Sequence, residues 1–350
     1  MEYHGGDTFA AETTLDFSAN INPLGMLESV RAAAMEAIAS SERYPDTHCR
    51  QLRAALERSL DVPHGWIFCG NGAADVIYRL CYALRPRRAL ILAPTFSEYE
   101  AALNAAGADV IRHNLREEEG FSVTDAVLSA VDSADMVFLC NPNNPTGSLI
   151  DPALMRAIAA KCNKKNATLI VDESFIDFVE RYEEHTLLRW LERSPGLVIT
   201  RSFTKMFAMP GLRLGYCATS NAVLIDRLRR SGPPWAVSLP AMNAGVAALA
   251  ETEFISRTRA VITKERSRVS RRLCALGLRV GESAANFLLI RDDSALDLPA
   301  GLAARGVAVR RHIGFRGLDE RYFRIAVRLP HENDRLVECI ADISRRGSLP

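Results

Sequence analysis

"SFTKMFAMPGLRLGY", residues 202–216, sets a single lysine, Lys205, among small, apolar and hydroxyl side chains. The apolar run "GLVIT" (196–200) precedes it, and Pro-Gly and Arg213 follow. An ammonium group left uncompensated in such surroundings is expensive, so the lysine reads as a group placed for chemistry at the end of a strand. The same form recurs upstream. "RALILAP" (88–94), "DMVFLC" (135–140) and "TLIVD" (168–172) read as buried strands, as do "GLVIT" and "LRLGYCA" (212–218). Helical spacing fills the gaps, in "FSEYEAALNAAG" with its glycine stop and in "DPALMRAIAAKCNKKN" with its Asp-Pro lead. Alternation of this kind predicts an α/β fold. Its sheet is mainly parallel, with helices on both faces and ligands at the carboxyl ends of the strands.

After "SGPPWAVSLP" the pattern changes. A long charged helix is expected from about Glu251 to Leu276. "LRVGESAANFLLIRDD", "VAVRRH" and "YFRIAVR" then read as strands and "ENDRLVECIADISRRG" as a closing helix, which together make a smaller α/β domain.

The 350 residues are 48% hydrophobic and 24% charged, with 43 basic against 42 acidic side chains, so nothing favours a nucleic-acid surface. No apolar run reaches membrane-spanning length, and "MEYHGGDTFA" lacks the apolar centre of a signal peptide. Eight scattered cysteines show no metal-type spacing. A reduced, cytoplasmic chain without metal is expected.

Three stretches carry functional groups just where strands should end: "CNPNNPTG" (140–147), dense in turn formers; "IVDESF", with Asp172; and "VITRSFTK", with Ser202, Thr204 and Lys205. A fourth, "CGNGAAD" (69–75), is a glycine turn opening a helix, suited to a phosphate on backbone N–H groups. It does not fit the G-x-G-x-x-G dinucleotide fingerprint.

This order and spacing resembles the fold-type I pyridoxal-phosphate enzymes, of the class I/II aminotransferase kind. The likeness runs from "DFSANINPLG" to "FRIAVR". Its core is N-P-x-N-P-T-G, then D-E-x-F, then S-x-T-K with an arginine eight residues on. The resemblance implies a seven-stranded aspartate-aminotransferase-like sheet. It also implies an arm at 1–26 joining the small domain, a large cofactor domain at 27–240 and a small domain at 241–350. Lys205 would form the imine with pyridoxal 5'-phosphate and Asp172 would pair with the ring nitrogen. Asn144 would meet the phenolic oxygen and Phe96 would stack on the ring. Gly72, Ala73, Ser202, Thr204 and Arg213 would hold the phosphate, and Tyr44 would reach the phosphate of a second subunit in a homodimer. Lys205 then need not be buried as a charge, because its amine is consumed as an imine.

Within the class, "HGG" (4–6), "DFSANINPLG", "DESFIDF" (172–178) and "VRRHIGFRGLDERYFRIAVR" (309–328) resemble the threonine-phosphate decarboxylase branch of cobalamin biosynthesis. The histidinol-phosphate aminotransferase branch would have tyrosine at Phe175 and glycine at Arg328. The resemblance puts Arg310 and Arg324 on a small, phosphorylated amino-acid substrate, which suits two guanidinium groups. Which arginine takes phosphate and which carboxylate stays open at this level. Asn22 is expected either on the substrate carboxylate or as a turn residue before proline, and His4 is expected to close over the substrate. A non-catalytic pyridoxal-phosphate sensor is a further reading, set back by the intact lysine. One methyl separates phosphothreonine from phosphoserine, worth about 1–3 kcal/mol, so residue types do not choose between them.

Phe175 has no hydroxyl to donate to the cofactor's phenolic oxygen. Phe175→Tyr is therefore expected to lower the imine pKa in an absorbance titration, and an unchanged titration would refute this.

Overall fold

The computed structural model describes residues 5–6, 14–294, 296–312 and 315–347. Its centre is a seven-stranded sheet of β2 (Ile67–Gly70), β3 (Arg88–Ala93), β4 (Asp109–Asn114), β5 (Met136–Cys140), β6 (Thr168–Asp172), β7 (Leu197–Ser202) and β8 (Gly215–Ala218). The first strand of the chain, β1, is Leu15–Asp16 and lies elsewhere. The spatial order is β2-β8-β7-β6-β5-β3-β4. The apolar runs are buried because both faces are covered. In β5, Met136, Phe138 and Cys140 join one core layer, with Ile77 and Tyr99, while Val137 and Leu139 join the other, with Leu154 and Ile158. A strand buried on both faces reads as a continuous apolar run, as "MVFLC" does.

Three strands depart from the expected pattern, the first being β2, a four-residue run leading into the glycine turn that is not among the expected strands. β4, "DVIRHN", is an edge strand with a polar, half-exposed face, so its apolar content is low. The stretch "LRLGYCA" is a strand only from Gly215 and runs antiparallel to both β7 and β2. Pro210–Leu212 form a short turn of helix and Arg213 takes φ +57°, so the chain reverses before the strand begins. The sheet is mixed, with one antiparallel member.

A smaller antiparallel sheet follows, in the order β12-β13-β10-β9. It contains β9 (Arg279–Val280), β10 (Phe287–Arg291), β12 (Arg310–Arg311) and β13 (Tyr322–Ala326). Helices Thr252–Ala275 and Pro330–Gly347 pack together beside it. β1 pairs in parallel with β11 (Val307–Ala308). Ala326 N donates to Phe17 O at 2.8 Å, and Arg328 Nη1 donates to Asp16 O at 3.0 Å while its other nitrogens bind Glu332. The segment leading from residue 14 is thus sewn to the small sheet. The division expected at 240/241 cuts the helix Leu239–Leu249, which packs on helices Glu28–Ile38 and Arg50–Leu60 beside the large sheet. Its small side chains permit that approach: a Cβ on Gly245 would lie 2.9 Å from the side chain of Leu52, on the second of those helices. Among the described residues no helix is long and apolar enough to cross a membrane.

β8 passes equally close to the start of the helix Gly72–Leu84, where a Cβ on Gly215 would stand 2.3 Å from the Ala73 amide nitrogen. Gly215→Val is expected to cost about 1–3 kcal/mol through overpacking against backbone, read as a lowered melting temperature.

Candidate active site

The carboxyl ends of the parallel strands open into a cavity of about 380 Å³. Its floor comes from the large sheet and its far wall from the small one. Ala73, Phe96, Asn144, Asp172, Ser202, Thr204, Lys205, Arg213, Arg310 and Arg324 all line it. Gly72 is not among the lining residues but touches one of them: at φ +86° its bare Cα leaves room for Arg213, whose Nη2 would lie 2.5 Å from a Cβ there.

Local folding explains which side chain reaches the cavity. In "NPNNP", Asn141 Nδ2 donates to His185 O and its Oδ1 accepts from Ile150 N. Asn143 is fully engaged with Thr95, Pro94 and Thr146. That leaves Asn144 at the cavity, where its Oδ1 accepts from Arg324 Nη1. Asp172 ends β6 with its Oδ1 accepting from the Ser174 amide (2.9 Å) and hydroxyl (2.6 Å), and its Oδ2 from Tyr99 Oη at 2.7 Å. Burial raises its pKa, and the Ser174 and Tyr99 donors counter that only in part. Ser202 caps the short helix carrying Lys205 by accepting from Thr204 N, and the two hydroxyls lie 2.7 Å apart.

Lys205 stands half-buried at the end of β7. Desolvation, then the positive charges of Arg324 and Arg213, bring its pKa down to about 8, with Asp172 opposing. Arg324 is buried on β13, where Nη2 donates to Ser18 O at 2.8 Å and Nε has no partner among the described residues. Burial, and next Arg310, lower its pKa to about 9. Arg310 sits directly opposite Arg324 across the β12–β13 ladder.

Three expected residues stand apart. Asn22 does not line the cavity: its Nδ2 donates to Met206 O (2.7 Å) and Thr258 Oγ1 (2.8 Å), and its Oδ1 accepts from Leu24 N. It fastens the chain behind Lys205 and has no amide group left for a ligand. Asn20, two residues earlier, lines the cavity instead with Oδ1 unpartnered among the described residues. Tyr44 is 81% exposed and stacks on Trp235 at 4.7 Å, away from this chain's cavity. His4 lies outside the described residues. Tyr99 and His312, absent from the sequence reading, line the cavity too.

The residues fit pyridoxal phosphate. The unpaired first amides of the helix Gly72–Leu84, with Ser202, Thr204 and Arg213, form a cradle for a dianion. Asp172, a buried carboxylate, and Lys205, an amine with a lowered pKa, line the same cavity, the two kinds of group that a ring nitrogen and an aldehyde call for.

Lys205 in cofactor-free protein is expected to react with an amine-selective reagent with a pH midpoint near 8, against about 10.4 for an ordinary lysine. Arg324→Gln removes a neighbouring cation and is expected to raise that midpoint. Peptide mass spectrometry across a pH series reads both, and a midpoint above 10 in the unsubstituted chain would overturn the electrostatic account.

Three comparisons bear on this geometry. The chain is 40% identical to a threonine-phosphate decarboxylase of Salmonella typhimurium, over 97% of this chain and 96% of that protein. It is 33% identical to histidinol-phosphate aminotransferase 1 of Cupriavidus pinatubonensis, over 92% and 86%. The crystal structure of the histidinol-phosphate aminotransferase from Clostridium acetobutylicum superposes with a TM-score of 0.88 at 31% identity, covering 95% of this chain and 99% of that one. The family model for aminotransferase class I and II matches residues 12–340. With a lysine, an aspartate and a phosphate cradle at the carboxyl ends of a mixed seven-stranded sheet, this chain belongs to the class I and II aminotransferase family.

Proposed function

We propose that the chain decarboxylates L-threonine O-3-phosphate to (R)-1-amino-2-propanol O-2-phosphate and carbon dioxide in cobalamin biosynthesis. The observation that carries the reading is the pairing of Arg310 with Arg324 on one cavity wall, which suits a substrate bearing two anionic groups. The 40% identity to a threonine-phosphate decarboxylase supports it. So does Phe175, which lines the cavity without a hydroxyl and packs edge-on to Phe287 at 5.0 Å.

Lys205 would hold the cofactor's aldehyde carbon, Asp172 its ring nitrogen, Asn144 its phenolic oxygen and Phe96 its ring face. Ser202, Thr204, Arg213 and the amides of Gly72 and Ala73 would hold its phosphate. Bound pyridoxal phosphate supplies an electron sink for the bond that breaks at the α-carbon. The chain's own task is to choose that bond. Arg310 and Arg324 would hold the substrate's anionic groups, and the orientation they give its carboxylate would decide whether that group leaves as carbon dioxide. Lys205 Nζ, released once the substrate's own amine takes over the aldehyde carbon, would return a proton to the α-carbon in place of the departed carboxyl. The exposed Tyr44, together with Met35, Ile38 and Trp235 on the surface, supports a homodimer in which each Tyr44 serves the partner's cavity.

A second reading, histidinol-phosphate aminotransferase, is favoured by the names of the relatives at 33% identity and TM-score 0.88. Mass spectrometry of products from cofactor-loaded protein and threonine O-phosphate, with no keto-acid acceptor, separates the two. Multi-turnover aminopropanol phosphate is expected, and Lys205→Ala should abolish it. Turnover confined to histidinol phosphate plus 2-oxoglutarate would overturn the proposal.

A further inference from the structure

His312 has no task in the site as described so far. It follows β12 directly, is 2% exposed and lines the cavity. Neither Nδ1 nor Nε2 has a hydrogen-bond partner among the described residues. A neutral imidazole carries one donor and one acceptor nitrogen, and leaving both unmet in a buried position is costly. The group is matched to something the chain itself does not supply.

Its surroundings indicate what that is. The charges acting on the ring are the guanidinium groups of Arg324 and Arg310, which, after burial, hold its pKa well below the ordinary histidine value. The ring is therefore neutral at physiological pH and adds a donor without adding a third repelling cation. Phe315 fixes it edge-on at 4.7 Å, and Arg310 lies over the same aromatic ring at 5.9 Å. Donor and guanidinium are thus held side by side on one platform. Contacts separate the two arginines: Arg324 Nη1 donates to Asn144, where the turn after β5 meets the cavity, whereas Arg310 lies over Phe315, the ring that holds His312. Arg324 is thus the arginine tied to the floor that carries Lys205, and Arg310 with His312 belongs to the wall.

We infer that His312 donates a hydrogen bond, alongside Arg310, to the phosphate of the substrate, while Arg324 takes the carboxylate near Lys205. A phosphate monoester presents three terminal oxygens, one more than a single guanidinium fork satisfies, and the imidazole N–H meets the third. The inference rests on the reading of the substrate as a phosphorylated amino compound.

The test compares cofactor-loaded wild type with His312→Phe and His312→Gln, using threonine O-phosphate and histidinol phosphate in turn, with inorganic phosphate as competing anion. His312→Phe keeps the packing and removes the donor. It should raise KM for the ester used, and the inhibition constant of inorganic phosphate, by about 10- to 100-fold, the range for a hydrogen bond to a charged group. The turnover number, the cofactor absorbance and the melting temperature should hold, and Gln, which keeps an N–H, should recover part of the loss. If Phe fails to fold, Gln and Asn carry the comparison. A flat KM, or a loss confined to turnover number, overturns the inference and leaves the reaction standing. Turnover of histidinol phosphate alone, with KM raised by His312→Phe, removes the decarboxylase reading and with it Arg324 on a carboxylate, which that ester lacks, and leaves His312 and Arg310 on the phosphate standing. A wild type that uses neither ester removes both.

Discussion

Arg324 is the point at which three separated stretches of chain meet. Its backbone belongs to β13, one nitrogen donates to the Ser18 carbonyl of the N-terminal arm, and another donates to Asn144 in the turn after β5. A guanidinium taken out of water must be met on several sides, and here the arm, the large sheet's turn and the small sheet supply that environment together. Wall and floor meet at this buried cation, and further links hold the same relation: Ala284 N donates to Gly147 O at 2.9 Å and Phe175 packs edge-on to Phe287.

Concentrating Lys205, Arg213, Arg310 and Arg324 around one cavity, with Asp172 and Glu98 as the acidic lining, leaves repulsion in the folded chain. The depressed pKa values of Lys205 and Arg324 come from burial first and from this repulsion next. Anionic ligands relieve that repulsion, so what binds the cavity also stabilises the fold that presents it.

Most of the floor was legible in the sequence because each group follows an apolar run that could only be a buried strand: Asp172 after "TLIV", Asn144 in the turn after "MVFLC", Lys205 after "GLVITRS". The walls were harder to read. Asn20 and Asn22 alternate along one short segment, and only the position of Thr258, 236 residues away, shows which of them is occupied. Tyr99 sits among the apolar positions of a helix, where spacing gives no sign of its bond to Asp172, and it also packs the core by stacking on Phe138. His312 follows a short polar strand, where spacing carries no signal. β4 escaped notice because an edge strand needs only one apolar face, and the direction of β8 turned on Arg213 adopting a left-handed backbone that propensity does not favour. Contacts distant in sequence made each of these choices.

The ladder between β1 and β11 has a temporal side. Thr14 and Gly306 bond across a separation of 292 residues, so a chain emerging amino end first carries Leu15 to Asn20 unpaired until nearly all of it has been made. The large sheet can close on local crossovers long before that. Docking of β1 must wait for β11, and Arg324 can meet Ser18 only after β13 has been made. The fold therefore orders its own assembly: a cavity that concentrates like charges and a reactive amine is not enclosed until the strands of its far wall exist.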